Sequence, residues 1–486
     1  MSQLAATPAE PPQDVVARAR WTWLTNLLLA LAAAFLLIGL VAGAIYWRFQ
    51  EQHQQALADV QAEVDRIQAA GEPITIEDLD ALNRVPDGAN DTTELWLAAI
   101  RLGPPETGFR HSKLPYVGSG KIEQLKASAP NTLLGEAEAY LARYEDAVAA
   151  ARRAAAANGE CRYPIDFSQG LYPDHAEAIQ PLRQLSRLLA LRARVGASGH
   201  SHEEAIESIE LLLALAGSLE DELDMTRQLV RMLVVDLALL ESEFLIAERS
   251  LSDEQLGRLQ TALLAIPTQE PARRGLLGER GMGYQSFRMK SSQRGGPASV
   301  IGDVDRPAEC LLYLHMMQEM LDAADRPRVD AIRQSEEIHG RLAKMDLSPK
   351  PRDRSDAIAA LQSLASLTQF FAAWTRVEAE RESAVAGAAF RRFQWRQGRP
   401  PASLAAMTPE FLAQVPTDPF QRGASLIFLV KGNQFAIYSV GMNGTDDQAL
   451  LADPDTQVDT GLSGLVVIPA VPMRDSPMRT EETSHP

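Results

Sequence analysis

The chain has 486 residues, enough for two or three domains, and 46% of them are hydrophobic, so it can build substantial cores. Its 47 Lys and Arg face 64 Asp and Glu, which gives a formal net charge of −17. This surplus argues against nucleic-acid binding and against a broad electrostatic attachment to anionic lipid, because both need clustered basic side chains. The two cysteines, Cys161 and Cys310, form neither a disulfide framework nor a zinc motif. Either they pair with each other or both are buried as small apolar side chains.

An apolar run near the start of the chain predicts a transmembrane helix. Leu27 to Tyr46 covers 20 residues without a charge or a proline, and as an α-helix it is about 30 Å long, the thickness of a bilayer's hydrocarbon core. Aromatic rings suited to the headgroup region flank it, and two glycines form a small-xxx-small pair within it. The proposed membrane residues are Trp21, Trp23, Leu27, Gly39, Gly43, Tyr46 and Trp47. The run is longer than a secretory h-region and no small-x-small cleavage site follows, so we interpret residues 21–47 as an uncleaved signal anchor.

The charges beside this run predict its orientation. Arg18 and Arg20 precede it, and Arg48 is the only basic residue among the fifteen that follow. By the positive-inside rule, residues 1–20, a disordered tail, lie in the cytoplasm and the bulk of the chain lies outside it.

Residues 48–71 are expected to continue the helix as a stalk. Apolar or aromatic side chains recur there at heptad spacing, at positions 53, 57, 60, 64 and 67. Two interpretations follow: the anchor and stalk form a parallel homodimer, or the stalk packs on its own domain.

Residues 72–397 are predicted to form a large all-α domain. Thr75 to Asp78 has the pattern of an N-cap with an acidic first turn, and Asn158-Gly159 is a left-handed stop. Further amphipathic helices are predicted over 133–157, 177–195, 203–217, 221–248, 253–266, 307–343 and 355–397. The glycines between 275 and 305 predict a flexible stretch, where the domain could divide in two.

A small α+β module is predicted for residues 398–472. Short helical turns over 402–407 and 409–414 precede two apolar stretches, 425–430 and 434–440, which are typical of a β-hairpin. Residues 462–469 are a candidate third strand, and the polar tail 473–486 is expected to be disordered. The fold class is therefore mainly α, with an apolar N-terminal helix and a C-terminal antiparallel hairpin.

This module resembles the globular end of the major pseudopilin of type II secretion. The matching residues are Gly398-Arg-Pro-Pro-Ala-Ser-Leu, Val415-Pro-Thr-Asp-Pro-Phe420 and Tyr438-Ser-Val-Gly-Met-Asn-Gly-Thr-Asp446, and the match covers about 60 residues. In that family the final loop holds calcium. The resemblance implies calcium ligands at Asn443, Asp446, Asp447, Asp453 and Asp455. A solvated acidic turn is the alternative.

Two features depart from the pseudopilin pattern. Residues 17–23 lack the family's processing glycine and glutamate, and more than 300 residues separate the apolar run from the module. As a whole the chain looks more like a group of large uncharacterised bacterial membrane-anchored proteins, which share the N-terminal anchor, a Gly71-Glu-Pro-Ile-Thr segment and the Tyr438-Ser-Val-Gly ending. That resemblance implies the bacterial inner membrane as the location and no assigned activity.

Few residues form patterns typical of catalysis. The chain contains no HExxH, Gly-Xaa-Ser-Xaa-Gly, Walker or Rossmann motif. His315 and Glu319 can share a helical face, and such a pair is usually a structural contact rather than an active site. His200-Ser-His202 is a weak candidate for metal binding, but its place at a helix start favours a solvated turn or cap. Asp236, within an apolar run, is expected to pair with Arg231 or with an arginine from another helix.

Three functional hypotheses follow. The first is a non-enzymatic envelope protein whose extracytoplasmic helical domain is an interaction or scaffold module. The second is a component or adaptor of a type II secretion or pilus-like assembly. The third is an unrecognised hydrolase or metalloenzyme whose site lies in the helical domain.

Overall fold

The structure is a computed structural model that describes residues 13–105, 113–125, 131–171, 176–199, 201–247, 251–267, 270–288, 306–344, 364, 370–431, 434–446 and 466–469. The chain divides into two compact units, residues 1–63 and residues 64–486. It is mainly α, with one long apolar N-terminal helix and a small antiparallel sheet near the C-terminus, as the sequence predicts.

Thirteen α-helices and three strands lie within the described residues. The helices are α1 (Gln13–Ala69), α2 (Ile76–Leu82), α3 (Thr93–Leu102), α4 (Asn131–Ala142), α5 (Glu145–Ala157), α6 (Ala176–Ser198), α7 (His202–Gly217), α8 (Met225–Ala247), α9 (Asp253–Leu264), α10 (Glu270–Arg288), α11 (Pro307–Ala324), α12 (Arg328–Leu342) and α13 (Phe370–Gln397). The strands are β1 (Ile427–Lys431), β2 (Gln434–Tyr438) and β3 (Val466–Pro469).

Local signals in the sequence set several of these boundaries. Thr75 caps α2: its hydroxyl accepts a hydrogen bond from the Asp78 amide, while the Asp78 carboxylate accepts one from the Thr75 amide. Ser252 and Gln255 form the same reciprocal pair at the start of α9. Asn158 ends α5 in the left-handed conformation with φ of 44°, as its Asn-Gly pair predicts.

Five helices, α6 to α9 and α13, make the centre of the helical domain. α7 packs on α6 and on α8, and α13 packs on α8 and α9. Many apolar side chains on these helices are fully buried, including Leu188, Leu212, Leu239, Leu259 and Phe390. Burial of this apolar surface is the main favourable term in the folding of the domain.

The glycines around position 280 do not make a flexible stretch up to Arg288, because α10 runs through them. Their function is close approach. A Cβ built at Gly278 would lie 1.7 Å from the Leu223 carbonyl oxygen, and one at Gly283 would lie 2.0 Å from the Tyr313 hydroxyl. These glycines let α10 pack tightly on the turn before α8 and on α11. Residues 289–305, the rest of the predicted break, lie outside the described residues.

The predicted single helix over 133–157 is two helices. The chain turns at Arg143 and Tyr144, whose amides donate to carbonyls three residues earlier. The bend lets α4 pack on α6, while α5 packs on α3 and α7. Tertiary packing therefore overrides the helix propensity of this alanine-rich segment.

The C-terminal module is a three-stranded antiparallel sheet in the order β1-β2-β3. β1 and β2 pair in register from Ile427 opposite Tyr438 to Lys431 opposite Gln434. Phe390 of α13 contacts the rings of Phe428 and Phe435, with centroids 6.0 and 5.0 Å away, and this aromatic cluster ties the sheet to the helical domain.

Replacing a close-approach glycine should destabilise the domain. We expect Gly278→Ala to lower the free energy of unfolding by about 1–3 kcal/mol or more, because its Cβ must displace the Leu223 backbone. The matched control is Gly135→Ala in α4, where a Cβ meets nothing within 4 Å and alanine raises the helix propensity. Thermal unfolding of the two variants measures this difference. Equal melting temperatures would contradict the close-packing role.

Candidate membrane anchor and buried charge clusters

The apolar run lies within α1, and its side chains are exposed. The candidate membrane span, Asn26–Ala69, has a mean hydropathy of 2.7 in its most apolar window, and none of that window is buried. Trp23, Tyr46 and Trp47 are 65%, 63% and 68% exposed, and a Cβ at Gly39 or Gly43 would meet nothing within 4 Å. An uncovered apolar helix of this length fits a membrane anchor or a signal sequence.

The end of the stalk segment is buried in the helical domain. Val64 and Ile67 are 4% and 0% exposed, and the helix ends at Ala69, two residues before Gly71, whose φ is 75°. For these two positions, packing on the chain's own domain is confirmed.

The Glu72-Pro73 segment that follows is fixed by arginines of α10. The Glu72 carboxylate accepts hydrogen bonds from Arg273 at 2.6 Å and from Arg280 at 2.7 Å, and Arg280 also donates to the Pro73 carbonyl. These guanidinium groups hold the pKa of Glu72 below its usual value although burial raises it. The Gly-Glu-Pro motif therefore docks the chain onto the domain.

The predicted calcium loop lies only partly within the described residues. Asn443 and Asp446 are exposed, and Asp446 accepts a hydrogen bond from the Tyr438 hydroxyl at 2.7 Å. Gly441 and Gly444 have positive φ angles of 67° and 65°, as expected for a tight loop. Asp447, Asp453 and Asp455 lie outside the described residues, so calcium binding stays a prediction.

Asp418 is a structural carboxylate in the same module. It is 3% exposed and accepts hydrogen bonds from the Phe420 amide, the Ser439 hydroxyl and the Val440 amide. It thus links the Asp418-Pro419 turn to the end of β2.

The other sequence candidates take structural positions. Glu319 pairs with Arg341 of α12, His315 and His339 are exposed, and His200 lies outside the described residues. Both cysteines are free and buried, and burial raises the pKa of Cys161 and of Cys310 to about 12. Over the described part of the chain, no group of three or more His, Cys, Asp or Glu residues could hold a metal ion.

Asp236 takes its arginine from another helix, one of the two predicted alternatives. The Arg376 guanidinium of α13 donates to Asp236 and to Glu380, both at 2.6 Å. Burial nevertheless raises the pKa of Asp236 and brings that of Glu380 to about 7. Glu243, about two turns further along α8, also has a raised pKa because of burial and the Glu380 charge. One guanidinium thus pairs with two carboxyl groups, Asp236 and Glu380.

A second charge cluster lies where the turn before α8 meets α10, and sequence reasoning missed it. Glu222 is fully buried, accepts from Arg227 at 2.5 Å and also accepts from the Tyr163 amide. Arg227 completes its bonds on the Tyr163 and Pro164 carbonyls. In the sequence, Glu222 belongs to an acidic run typical of an exposed helix start, so nothing local marks it as buried.

Glu279 of α10 is the least compensated acid of this cluster. It is 8% exposed, and burial together with the nearby charge of Asp224 raises its pKa to about 8. Raised carboxyl pKa values occur at functional sites and in structural networks alike.

Comparison with known proteins adds no relative: no protein-family profile, curated protein or solved structure matches the chain.

The pKa of Glu279 makes stability depend on pH. The folded chain keeps this carboxyl protonated up to about pH 8, whereas the unfolded chain ionises it near 4.5, so stability falls as the pH rises between these values. The side chain of Glu279→Gln stays neutral at every pH. We therefore expect the melting temperature of this variant to fall less between pH 5 and pH 8 than that of the wild type. Glu254→Gln, at an exposed position of α9, is the control and should follow the wild type. Parallel curves for wild type and Glu279→Gln would contradict the assignment.

Proposed function

We propose that the chain is a single-pass, non-enzymatic protein of the bacterial inner membrane that anchors a helical interaction domain on the extracytoplasmic side. The observation that carries the proposal is the uncovered apolar run from Leu27 to Tyr46. A helix with side chains such as Phe35, Leu36 and Ile38 more than 60% exposed is stable only where lipid or protein replaces water around it. Its length matches a bilayer.

The orientation rests on the basic residues beside the run. Arg18 and Arg20 on the N-terminal side outnumber Arg48 on the other, which favours a cytoplasmic N-terminus. With that orientation the helical domain and the C-terminal module face the envelope.

Two features support an interaction role: ion pairs that hold the helices in one arrangement, and an exposed tryptophan on the surface of the domain. Arginine–carboxylate pairs such as Arg194–Glu241 and Arg376–Asp236 join different helices, and pairs of this kind favour one defined arrangement over alternatives. Trp395, near the end of α13, is 62% exposed on this fixed frame. Tryptophan is enriched among the residues that contribute most to protein–protein binding.

Topology is tested with paired reporters fused to the C-terminus of the full chain. We expect the alkaline phosphatase fusion to be active, because this enzyme folds only outside the cytoplasm. We expect the green fluorescent protein fusion to be non-fluorescent, because this reporter folds only inside the cytoplasm. An N-terminal tag should remain on the full-length chain in the membrane fraction, which distinguishes an anchor from a cleaved signal peptide.

The matched control reverses the charge bias with Arg18→Glu and Arg20→Glu together with Gln50→Lys and Gln52→Lys. This variant should invert at least part of the population. A fluorescent, phosphatase-inactive wild type would place the domain in the cytoplasm and refute the proposed location.

The interaction role is tested by site-specific photocrosslinking in intact cells. A benzophenone amino acid at Trp395 should give one discrete adduct with an envelope protein, because this ring is the largest exposed apolar side chain in the described part of residues 64–486. The same group at Glu254, an exposed charged position of α9, is the control and should give none. Identical patterns at the two positions would show non-specific proximity and count against a binding surface there.

A further inference from the structure

Arg231 of α8 differs from most of the buried arginines. Five others that are less than 10% exposed each have a carboxylate oxygen at 2.5–2.8 Å: Arg192, Arg194, Arg227, Arg280 and Arg328. Arg231 is 5% exposed, and among the described residues no carboxylate oxygen lies within 4 Å of it. Its Nη2 donates to the Pro267 carbonyl at 3.1 Å, and its Nε is buried without a partner among these residues.

Arg231 lines a cavity of about 260 Å³. At roughly 30 Å³ per water molecule, this space matches eight or nine heavy atoms of that size. The cavity lies between the ends of α7 and α9 and one side of α8, and its walls are mostly small or aliphatic: Leu213, Ala214, Ala216, Gly217, Val235, Ala262, Ala265, Ile266 and Pro267. Gly217 and Ala265 are exposed, so the cavity can be reached from the surface.

Two acids also line the cavity, and neither forms an ion pair with Arg231. Glu210 is bound by Arg258, whose Nε and Nη2 donate to its two oxygens at 2.6 and 2.5 Å. Glu220 attracts Arg231 electrostatically, but burial outweighs this attraction and lowers the pKa of Arg231. The positive charge of Arg231 is therefore only partly neutralised by the described residues around it.

We propose that this cavity binds a small aliphatic carboxylate, whose carboxyl group takes the place of the carboxylate that Arg231 lacks and whose hydrocarbon chain fills the apolar walls. The planar guanidinium offers two parallel donors to such a group. The cavity volume fits an unbranched carboxylate of about six carbons, which has about eight heavy atoms. This site is independent of the proposed membrane orientation and of the proposed protein partner.

The test is isothermal titration of the full chain in nanodiscs with hexanoate, hexylammonium and hexanol. These probes share the chain length and differ in charge, so binding to the apolar walls alone would not distinguish them. We expect hexanoate to bind at least tenfold more tightly than the other two, with an affinity that weakens as salt is added.

Substitutions locate the binding. Arg231→Met keeps much of the side-chain volume and removes the buried charge, so it should retain the fold and weaken hexanoate binding tenfold or more. Ala262→Leu keeps the guanidinium and fills the cavity, and it should weaken binding as well. Arg183→Met is the matched control, because Arg183 lines a separate groove beside α6 and its Nε is likewise buried without a partner among the described residues.

Three results would overturn the proposal. They are the absence of hexanoate binding to the wild type, equal binding by Arg231→Met, and tighter binding of hexylammonium than of hexanoate. Thermal unfolding of each variant without ligand identifies a variant that fails to fold. If Arg231→Met fails to fold, the binding of hexanoate to Ala262→Leu decides the test.

Discussion

The helical domain depends on one electrostatic constraint: a guanidinium taken out of water needs a carboxylate beside it. Arg280 joins α10 to Glu72, Arg194 joins α6 to Glu241 of α8, and Arg328 joins α12 to Glu378 of α13. Each pair connects elements distant in sequence, so each is satisfied only when the right helices meet. Seven of the 47 basic residues are lysines and the rest are arginines, in keeping with the planar fork that buried pairs require.

Close backbone approach is the second part of the same architecture. Gly278 and Gly283 bring α10 against its neighbours, which places Glu279 and Arg280 between them in the interior. Arg280 forms an ion pair with Glu72 there. Burial and the like charge of Asp224 raise the pKa of Glu279 to about 8, so Glu279 stays protonated up to about that pH. Tight packing and a perturbed acid thus have one cause, the fit of a glycine-rich helix into a narrow space.

The sequence predicted what depends on short-range pattern and missed what depends on tertiary partners. The capping pair at Thr75, the left-handed Asn158 and the hairpin follow from local residue types, and the structure confirms them. The glycines of α10 were wrongly interpreted as flexible, because sequence does not show the Leu223 carbonyl against which Gly278 packs. Asp236 was recognised as a buried acid from its apolar neighbours, but its partner Arg376 is 140 positions away. The calcium loop and the pseudopilin resemblance stay predictions.

Because the chain is strongly acidic, its attachment to a membrane would depend on the apolar helix. A chain with a net charge of −17 is repelled by an anionic membrane surface, and its arginines are largely engaged in pairs within the domain rather than free to bind lipid headgroups. Membrane attachment would therefore depend on hydrophobic insertion of residues 27–46 alone. Inside the domain, Arg231 is buried beside a cavity and forms no ion pair with the two acids that line it, so its charge is unfavourable there unless an anion enters. A ligand that supplied this carboxylate would stabilise the contact between α7, α8 and α9, so that occupancy of the cavity would be linked to the stability of the domain.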